Sequence, residues 1–337
     1  MRLRRSVVGG PGLHRVRRGR GFSYHTDDGR RVTSPRALQR IEELVIPPAW
    51  KDVWICPRPD GHIQAVGTDA AGRRQYLYHP QWHEDRSEEK FDRVLEMSAL
   101  LPDWRGAVAA DLRRPGLSRQ RVLAVGLRLL DLGYFRAGGD QYAEENNSFG
   151  IATLMGEHVT VHSGSVEFDY PAKSGVRRVL DIEDPDTVRA VRSLRRAAGS
   201  DHRLLSYRNG DGFSAVHADD LNARFKQMVG DEYTVKDLRT WHGTVLAAAA
   251  FADADPPVDD KVIKRVEAAV TREVAEELGN TPAVARSAYI DPRVSKAYRQ
   301  GLTIATSVRR SAHTKDADER QAILGRGTAR LIRKVSR

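Results

Sequence analysis

The sequence predicts an α+β protein in two parts: a small β-rich amino-terminal domain over residues 1–90 and a larger, mainly α-helical domain over 91–337. Three observations carry this expectation. From about 32 to 86, apolar and polar residues alternate between turn signals. Beyond that stretch, apolar residues recur at helical spacing with N-caps and terminal glycines. One alternating island, 149–182, interrupts those helices.

In chain order, a helix near 35–44 ends at the Pro47 and Pro48 pair, since proline cannot continue it. DVWICPRPDGHIQAVGTDAAGRRQYLYH then reads as three short strands separated by PDG and DAAG turns. SEEKFDRVLEMSALL and SRQRVLAVGLRLLDLG read as helices, which puts the domain boundary between 86 and 105. In the island, GIATL, HVTVH, VEFDY and RRVLDI alternate as strands, and VEFDYPAKSGVRRVLDI reads as a hairpin with Lys173 on its exposed tip. At SAYIDPRV, Tyr289 ends an alanine-rich helical pattern two residues before Asp291, the expected N-cap of another helix whose first turn holds Pro292.

Composition narrows the function. The 337 residues are 40% hydrophobic and 30% charged, with no run of 18 apolar residues; VLAAAAF is the strongest apolar run. MRLRRSVVGGPG has no apolar core after its arginines, so the expectation is a cytoplasmic protein without a secretory signal. Cys56, the single cysteine, reads as a buried strand residue and excludes an internal disulfide or a thiolate zinc site. A net charge of +10 implies a polyanionic partner. The excess sits at both ends: eleven arginines against two acids in the first 40 residues, nine Lys or Arg against three in the last thirty. Nucleic acid is expected ahead of a membrane, because no basic amphipathic helix with a bulky apolar face stands out.

Neither a GxGxxG loop nor a Walker A pattern is present, so no nucleotide cofactor is expected. His79 and His83 with Glu84 and Asp85, and His158 with His162, are weak metal candidates, and the acidic stretch ADADPPVDD lacks the ligand spacing and glycine of a calcium loop. No metal is expected.

Why a phenol stands at a break between two helices is the sharper question. Core packing is the plain answer. A tyrosine that attacks phosphate would instead need cations to hold the charge growing on the phosphoryl oxygens, and arginine's planar fork suits that task. The leaving oxygen would need a proton, which a lysine on a hairpin tip can supply. Three segments offer such groups: GYFRAGGDQYAEENNSFGIATL around Arg136, the hairpin with Lys173, and VKDLRTWHGTVLAAAAF around Arg239. Taken singly, each residue also has an ordinary structural reading: Arg136 a helix-end cation, Lys173 a solvated lysine, Arg239 a local ion pair, Asn280 a turn former.

Their order is what decides. GYFRxG followed by YxxEN, a YPxKSG hairpin, KDxRTWHxT opening a helix, and LGNTPxxxRxxYIDPRV together resemble the bacterial, poxvirus-like type IB DNA topoisomerases. IPPAW and DGHIQAVGTDAAGRRQYLYH are similar to the same family, so the resemblance spans roughly residues 20 to 310. It implies a monomeric clamp on duplex DNA with Tyr289 as nucleophile, Arg136 and Arg239 gripping the scissile phosphate, and Lys173 as general acid, with no cofactor. Asn280 stands where the poxvirus and eukaryotic enzymes carry a histidine; an amide can donate a hydrogen bond but carries no charge, so its implied role is hydrogen bonding alone. Arg73, Arg74, Gln75, Tyr76 and Tyr78 match or adjoin positions with which the family touches DNA.

Two other readings compete. Tyrosine recombinases share the arginines, the lysine hairpin and the tyrosine, but usually place a histidine three residues before the second arginine, where this chain has Lys236. A nonenzymatic DNA-binding protein with a degenerate site is the other, against which the intact Arg136, Lys173, Arg239 and Tyr289 set argues.

Overall fold

A computed structural model describes residues 3–140, 143, 145, 147–199 and 202–336, without the side chains of 83, 84, 174 and 198. The chain divides into two compact units, Met1–Phe91 and Asp92–Arg337.

The first unit is built on a five-stranded antiparallel sheet in the order β2-β1-β3-β4-β5. β1 (Leu13–Arg18) and β2 (Gly21–Thr26) form a hairpin that the sequence analysis did not anticipate; β3 (Lys51–Ile55), β4 (Ile63–Thr68) and β5 (Arg74–Tyr78) are the three expected strands. β1 escaped because arginines at 15 and 17 take the face that Leu13 begins, leaving Leu13 as its single buried residue. Gly19, at φ +57°, sits in the turn that joins the pair. Alternation along β3 divides the interior between two faces: Val53 and Ile55 pack with Leu13, Ala65 and Ile41 of α1 (Pro35–Glu43), while Trp54 and Cys56 pack with Ile63 and Val66.

α2 (Pro80–Met97) starts in the first unit and ends in the second, where α3 (Leu101–Leu112) and α4 (Arg119–Leu132) follow. The island yields a three-stranded antiparallel sheet of β6 (Val159–Val161), β7 (Val166–Pro171) and β8 (Arg177–Ile182). GIATL, expected as a strand, is a turn instead. Its N–H groups go elsewhere than to a ladder: Ile151 and Ala152 donate to the carbonyls of Arg136 and Ala137 at 2.9 Å, and Thr153 and Leu154 donate back to Gly150. Gly138 and Gly150 meet backbone to backbone, so closely that a Cβ on either would collide with the other.

After α5 (Pro185–Ala198) a second unexpected hairpin, β9 (Ser206–Asn209) and β10 (Gly212–Ala215), turns at Gly210, φ +59°. The remaining helices are α6 (Ala218–Val229), α7 (Val235–Asp253), α8 (Asp260–Glu277), α9 (Pro292–Arg299), α10 (Ala305–Ser311) and α11 (Ala317–Val335). α7 is the hub of this unit: eight consecutive residues, Asp237 to Thr244, are buried, and α4, α6, α8, α9, α10 and α11 all pack on it. Among the described residues no helix is long and apolar enough to cross a membrane.

Candidate active site

Tyr289 closes a short π-helical segment, Ala285–Tyr289, that follows a single turn at Pro282–Val284. α9 then starts as expected, with Asp291 as N-cap accepting from Arg293 N–H at 2.9 Å. What seats the tyrosine is α7. Thr244 donates its hydroxyl to the Tyr289 carbonyl at 3.2 Å and accepts from Asp291 N–H at 3.2 Å, holding the break between the two segments. One residue earlier, Gly243 leaves the room: a Cβ there would lie 2.8 Å from the Tyr289 carbonyl oxygen and 3.0 Å from its Cβ. Glycine inside a helix costs stability relative to alanine, and close packing is the physical reason to keep it. The HGT portion of the RTWHGT motif is therefore a docking surface for the Tyr289 segment.

Arg239, one helical turn before Gly243, is buried, and its guanidinium lies 5.4 Å from the Tyr289 ring centroid. Its two terminal nitrogens donate to the carbonyls of Tyr134 and Leu278, while Nε is buried without a hydrogen-bond partner among the described residues. Arg136 donates to the Gly279 carbonyl at 2.8 Å and to Asn280 Oδ1. An arginine has five N–H groups, so each keeps three for another acceptor. Burial, and next the Arg136 charge, pull the Arg239 pKa down to about 10, with Tyr289 pulling the other way; the group stays cationic at neutral pH.

Two helix ends make this arrangement. α4 stops at Gly133, and Tyr134 follows in the left-handed region at φ +51°, unusual for a bulky residue and the turn that aims its carbonyl at Arg239. α8 closes in a Schellman motif: Gly279 (φ +56°) donates to Glu276 at 3.0 Å and Asn280 N–H donates to Ala275 at 2.7 Å. That motif fixes Asn280 beside Arg136. Its Nδ2 is buried with no hydrogen-bond partner among the described residues, an uncommitted donor.

Behind Tyr134 lies a buried ionic network. Asp131 accepts from Arg105 at 2.7 and 3.0 Å and from His242 Nε2 at 2.9 Å, and the His242 ring rests 4.9 Å from that of Tyr134. Burial would raise the Asp131 pKa, but Arg105 and His242 outweigh it and hold the carboxyl far below its usual range; burial also lowers that of His242.

Arg136, Lys173, Arg239 and Tyr289 line one cavity of about 280 Å³, and Lys236 joins them. Among the described residues no carboxylate is in its lining. Lys173 is exposed in the hairpin tip, which the Ala172 N–H to Val176 carbonyl bond closes at 2.8 Å. Lys236 entered the sequence reading only as a residue that tells two families apart; its place two residues past the α7 N-cap Thr234, three before Arg239, was the available signal. A larger recess of about 590 Å³, with Glu267, Arg286 and Lys296 in its wall, does not include Tyr289. Tyr142 and Asn146 of the YxxEN motif, and Glu144 between them, lie outside the described residues.

In the first unit, β5 carries the other candidates. Asp69 accepts from Arg73 Nε at 3.1 Å and from Gln75 at 2.9 Å. Tyr76 and Tyr78 share a face with rings stacked at 6.1 Å, and the Arg74 guanidinium is 6.0 Å from the Tyr76 ring. Of the metal candidates, His158 is instead engaged by Met155 N–H at 3.0 Å, and the side chains of His83 and Glu84 lie outside the described set. Among the described residues, His162, Glu167 and Asp181 bring ligand atoms within 4.8 Å of one another, and none of the three lines the cavity.

Comparison with known proteins speaks to the whole chain. A family model described as eukaryotic DNA topoisomerase I, catalytic core, matches residues 79–313, and one described as bacterial DNA topoisomerase IB, N-terminal domain, matches 21–69. DNA topoisomerase 1B of Acanthamoeba polyphaga mimivirus is 30% identical over 287 residues, covering 83% of this chain and 85% of the relative. The chain belongs to the type IB DNA topoisomerases. DNA topoisomerase 1B of Vaccinia virus (strain Copenhagen) is 21% identical over 229 residues, 67% of this chain and 69% of the relative. In this type IB topoisomerase the catalytic-core match holds every residue that lines the cavity, whereas α11 lies beyond both family models.

Proposed function

We propose that this type IB topoisomerase cuts and reseals one strand of duplex DNA through Tyr289. The phenol oxygen attacks the scissile phosphorus and gives its proton to solvent; the bond to the 5′ oxygen breaks and a 3′-phosphotyrosyl ester forms. Arg136 and Arg239 hold the nonbridging oxygens with their unspent N–H groups, and Asn280 Nδ2 donates to one of them. Lys173 protonates the departing 5′ oxygen. One phosphoester replaces another, so the free 5′ hydroxyl can reverse the step without nucleotide hydrolysis. Between the two steps the free end rotates, which relaxes supercoils of either sign.

The observation that carries the reading is the single cavity lined by Tyr289, two arginines and two lysines, with no carboxylate among the described residues, a site suited to a phosphodiester anion. By the same reading the protein acts as a monomer that clamps duplex DNA, contacts it also through Arg73, Arg74, Gln75, Tyr76 and Tyr78, and resides with the nucleoid.

The deciding experiment is relaxation of negatively and positively supercoiled plasmid in EDTA without ATP. Wild type should relax both and Tyr289→Phe neither, with a covalent DNA adduct trapped by detergent on wild type alone. DNA binding by both proteins with relaxation by neither would sink the proposal. Recombinant products from paired sites would favour a recombinase instead.

A further inference from the structure

Arg178 is an inward-facing arginine on a strand whose exposed positions are Arg177, Val179 and Asp181. A buried arginine is ordinarily paired with a carboxylate. Here the partners are carbonyls: Nη2 donates to Gly133 at 2.9 Å and to Glu277 at 2.8 Å, and Nε is buried without a partner. These are the end carbonyls of α4 and α8, where unsatisfied C=O groups concentrate partial negative charge.

The site's three arginines thus divide the same two helix ends among them. Arg178 takes Gly133 and Glu277, Arg239 takes Tyr134 and Leu278, and Arg136 takes Gly279 and the Asn280 side chain. Gly279 is shaped around this: a Cβ there would stand 2.8 Å from Arg178 Nη1. Arg178 alone of the three belongs to the lysine hairpin. It pairs with Tyr170, one rung below Pro171 and Arg177 at the tip that holds Lys173. The opposite strand is tied down at Pro171, whose carbonyl accepts from Phe149 N–H at 2.9 Å.

We infer that Arg178 is a positioning residue for proton transfer: it fastens β8 to the ends of α4 and α8 and so sets where Lys173 stands relative to the phosphate held by Arg136 and Arg239. The inference rests on the proposed role of Lys173 as general acid. It predicts that loss of Arg178 weakens protonation of the leaving oxygen more than it weakens the grip on phosphate.

A leaving group that needs no proton separates the two effects. A thiol, with a pKa of about 8.5, is far more acidic than an alcohol, so sulfur in place of the scissile 5′ oxygen departs without an acid. Single-turnover cleavage would be measured on both duplexes, built on a site mapped beforehand, for wild type, Lys173→Ala, Arg178→Ala, Arg178→Lys and the double alanine variant. Arg178→Ala should be slower on oxygen by roughly 10- to 100-fold, the scale of a misplacement near 1 Å, and return to near the wild-type rate on sulfur. The double variant should be no slower on oxygen than Lys173→Ala alone. Arg178→Lys keeps one donor and should lie between; it serves equally if the alanine variant fails to fold.

Equal slowing on both duplexes, or additive losses in the double variant, would overturn the inference and leave the proposed chemistry standing. If sulfur fails to rescue Lys173→Ala itself, the acid role of Lys173 falls and this inference falls with it.

Discussion

Arg239 and Lys173 reach the same cavity from opposite kinds of structure. Arg239 sits within eight consecutive buried residues of α7, tied to two carbonyls from two other segments. Lys173 is exposed on a turn that the Ala172 N–H to Val176 carbonyl bond closes. The difference matches the roles proposed for the two groups. A group that stabilises developing charge works best when its geometry is set before reaction, since it then spends nothing on reorganisation. A proton donor must follow an oxygen that moves away, and reach serves it better than rigidity. Rigidity is still needed just behind the tip, which is where Arg178 lies.

The comparison breaks most visibly at Arg239. Arg239→Ala should lower single-turnover cleavage by roughly 10³ to 10⁵, the range seen for arginines at transferring phosphoryl groups. Arg239→Lys should recover little of it, because one ammonium cannot bond the Tyr134 and Leu278 carbonyls and still fork around a phosphate. Full recovery by lysine would show that charge alone matters there.

Lys173→Ala should cost less, about 10² to 10⁴ in cleavage rate. Its thermal stability should stay within about 0.5 kcal/mol of wild type, as for other exposed sites. A large drop in melting temperature would contradict the picture of a free tip.

Two glycines sharpen the contrast in packing. Gly243→Ala pushes a methyl to 2.8 Å from the Tyr289 carbonyl and should destabilise the second unit by about 1–3 kcal/mol while slowing cleavage. Gly164→Ala, in the β6–β7 turn with nothing within 4 Å, should change neither beyond about 0.5 kcal/mol or its equivalent in rate. Melting curves and cleavage assays on the pair test this directly.

The smallest effect belongs to the first unit. Arg74→Ala should leave the cleavage rate at saturating DNA unchanged and reduce the slope of log affinity against log salt by about 1, the signature of one lost phosphate contact. An unchanged slope would remove Arg74 from the DNA surface.

Much of this site was legible because its signals are local. The PAKSG tip between alternating runs, the Thr234 cap before KDLR and the DP step after Tyr289 each depend on a few neighbouring residues. The β9–β10 hairpin had a legible signal too, Asn-Gly at 209 and 210 between short strands, which the helical reading of that region passed over. GIATL misled for the opposite reason. Its alternation is real, but Ile151 and Ala152 each spend their N–H group on a loop fifteen residues back rather than on a neighbouring strand.

By itself the sequence determined the two-part α+β organisation, the basic charge that calls for a polyanion, and the ordered motifs bearing Arg136, Lys173, Arg239, Asn280 and Tyr289. Only the tertiary structure decided that the ends of α4 and α8 are stapled by three arginines, that Asn280 Nδ2 is left uncommitted, and that Gly243 makes room for the Tyr289 segment. The physical reason is range. Capping and periodicity act within a few residues, whereas a buried guanidinium must find its acceptors wherever folding brings bare carbonyls, here 45 and 99 residues from Arg178 along the chain.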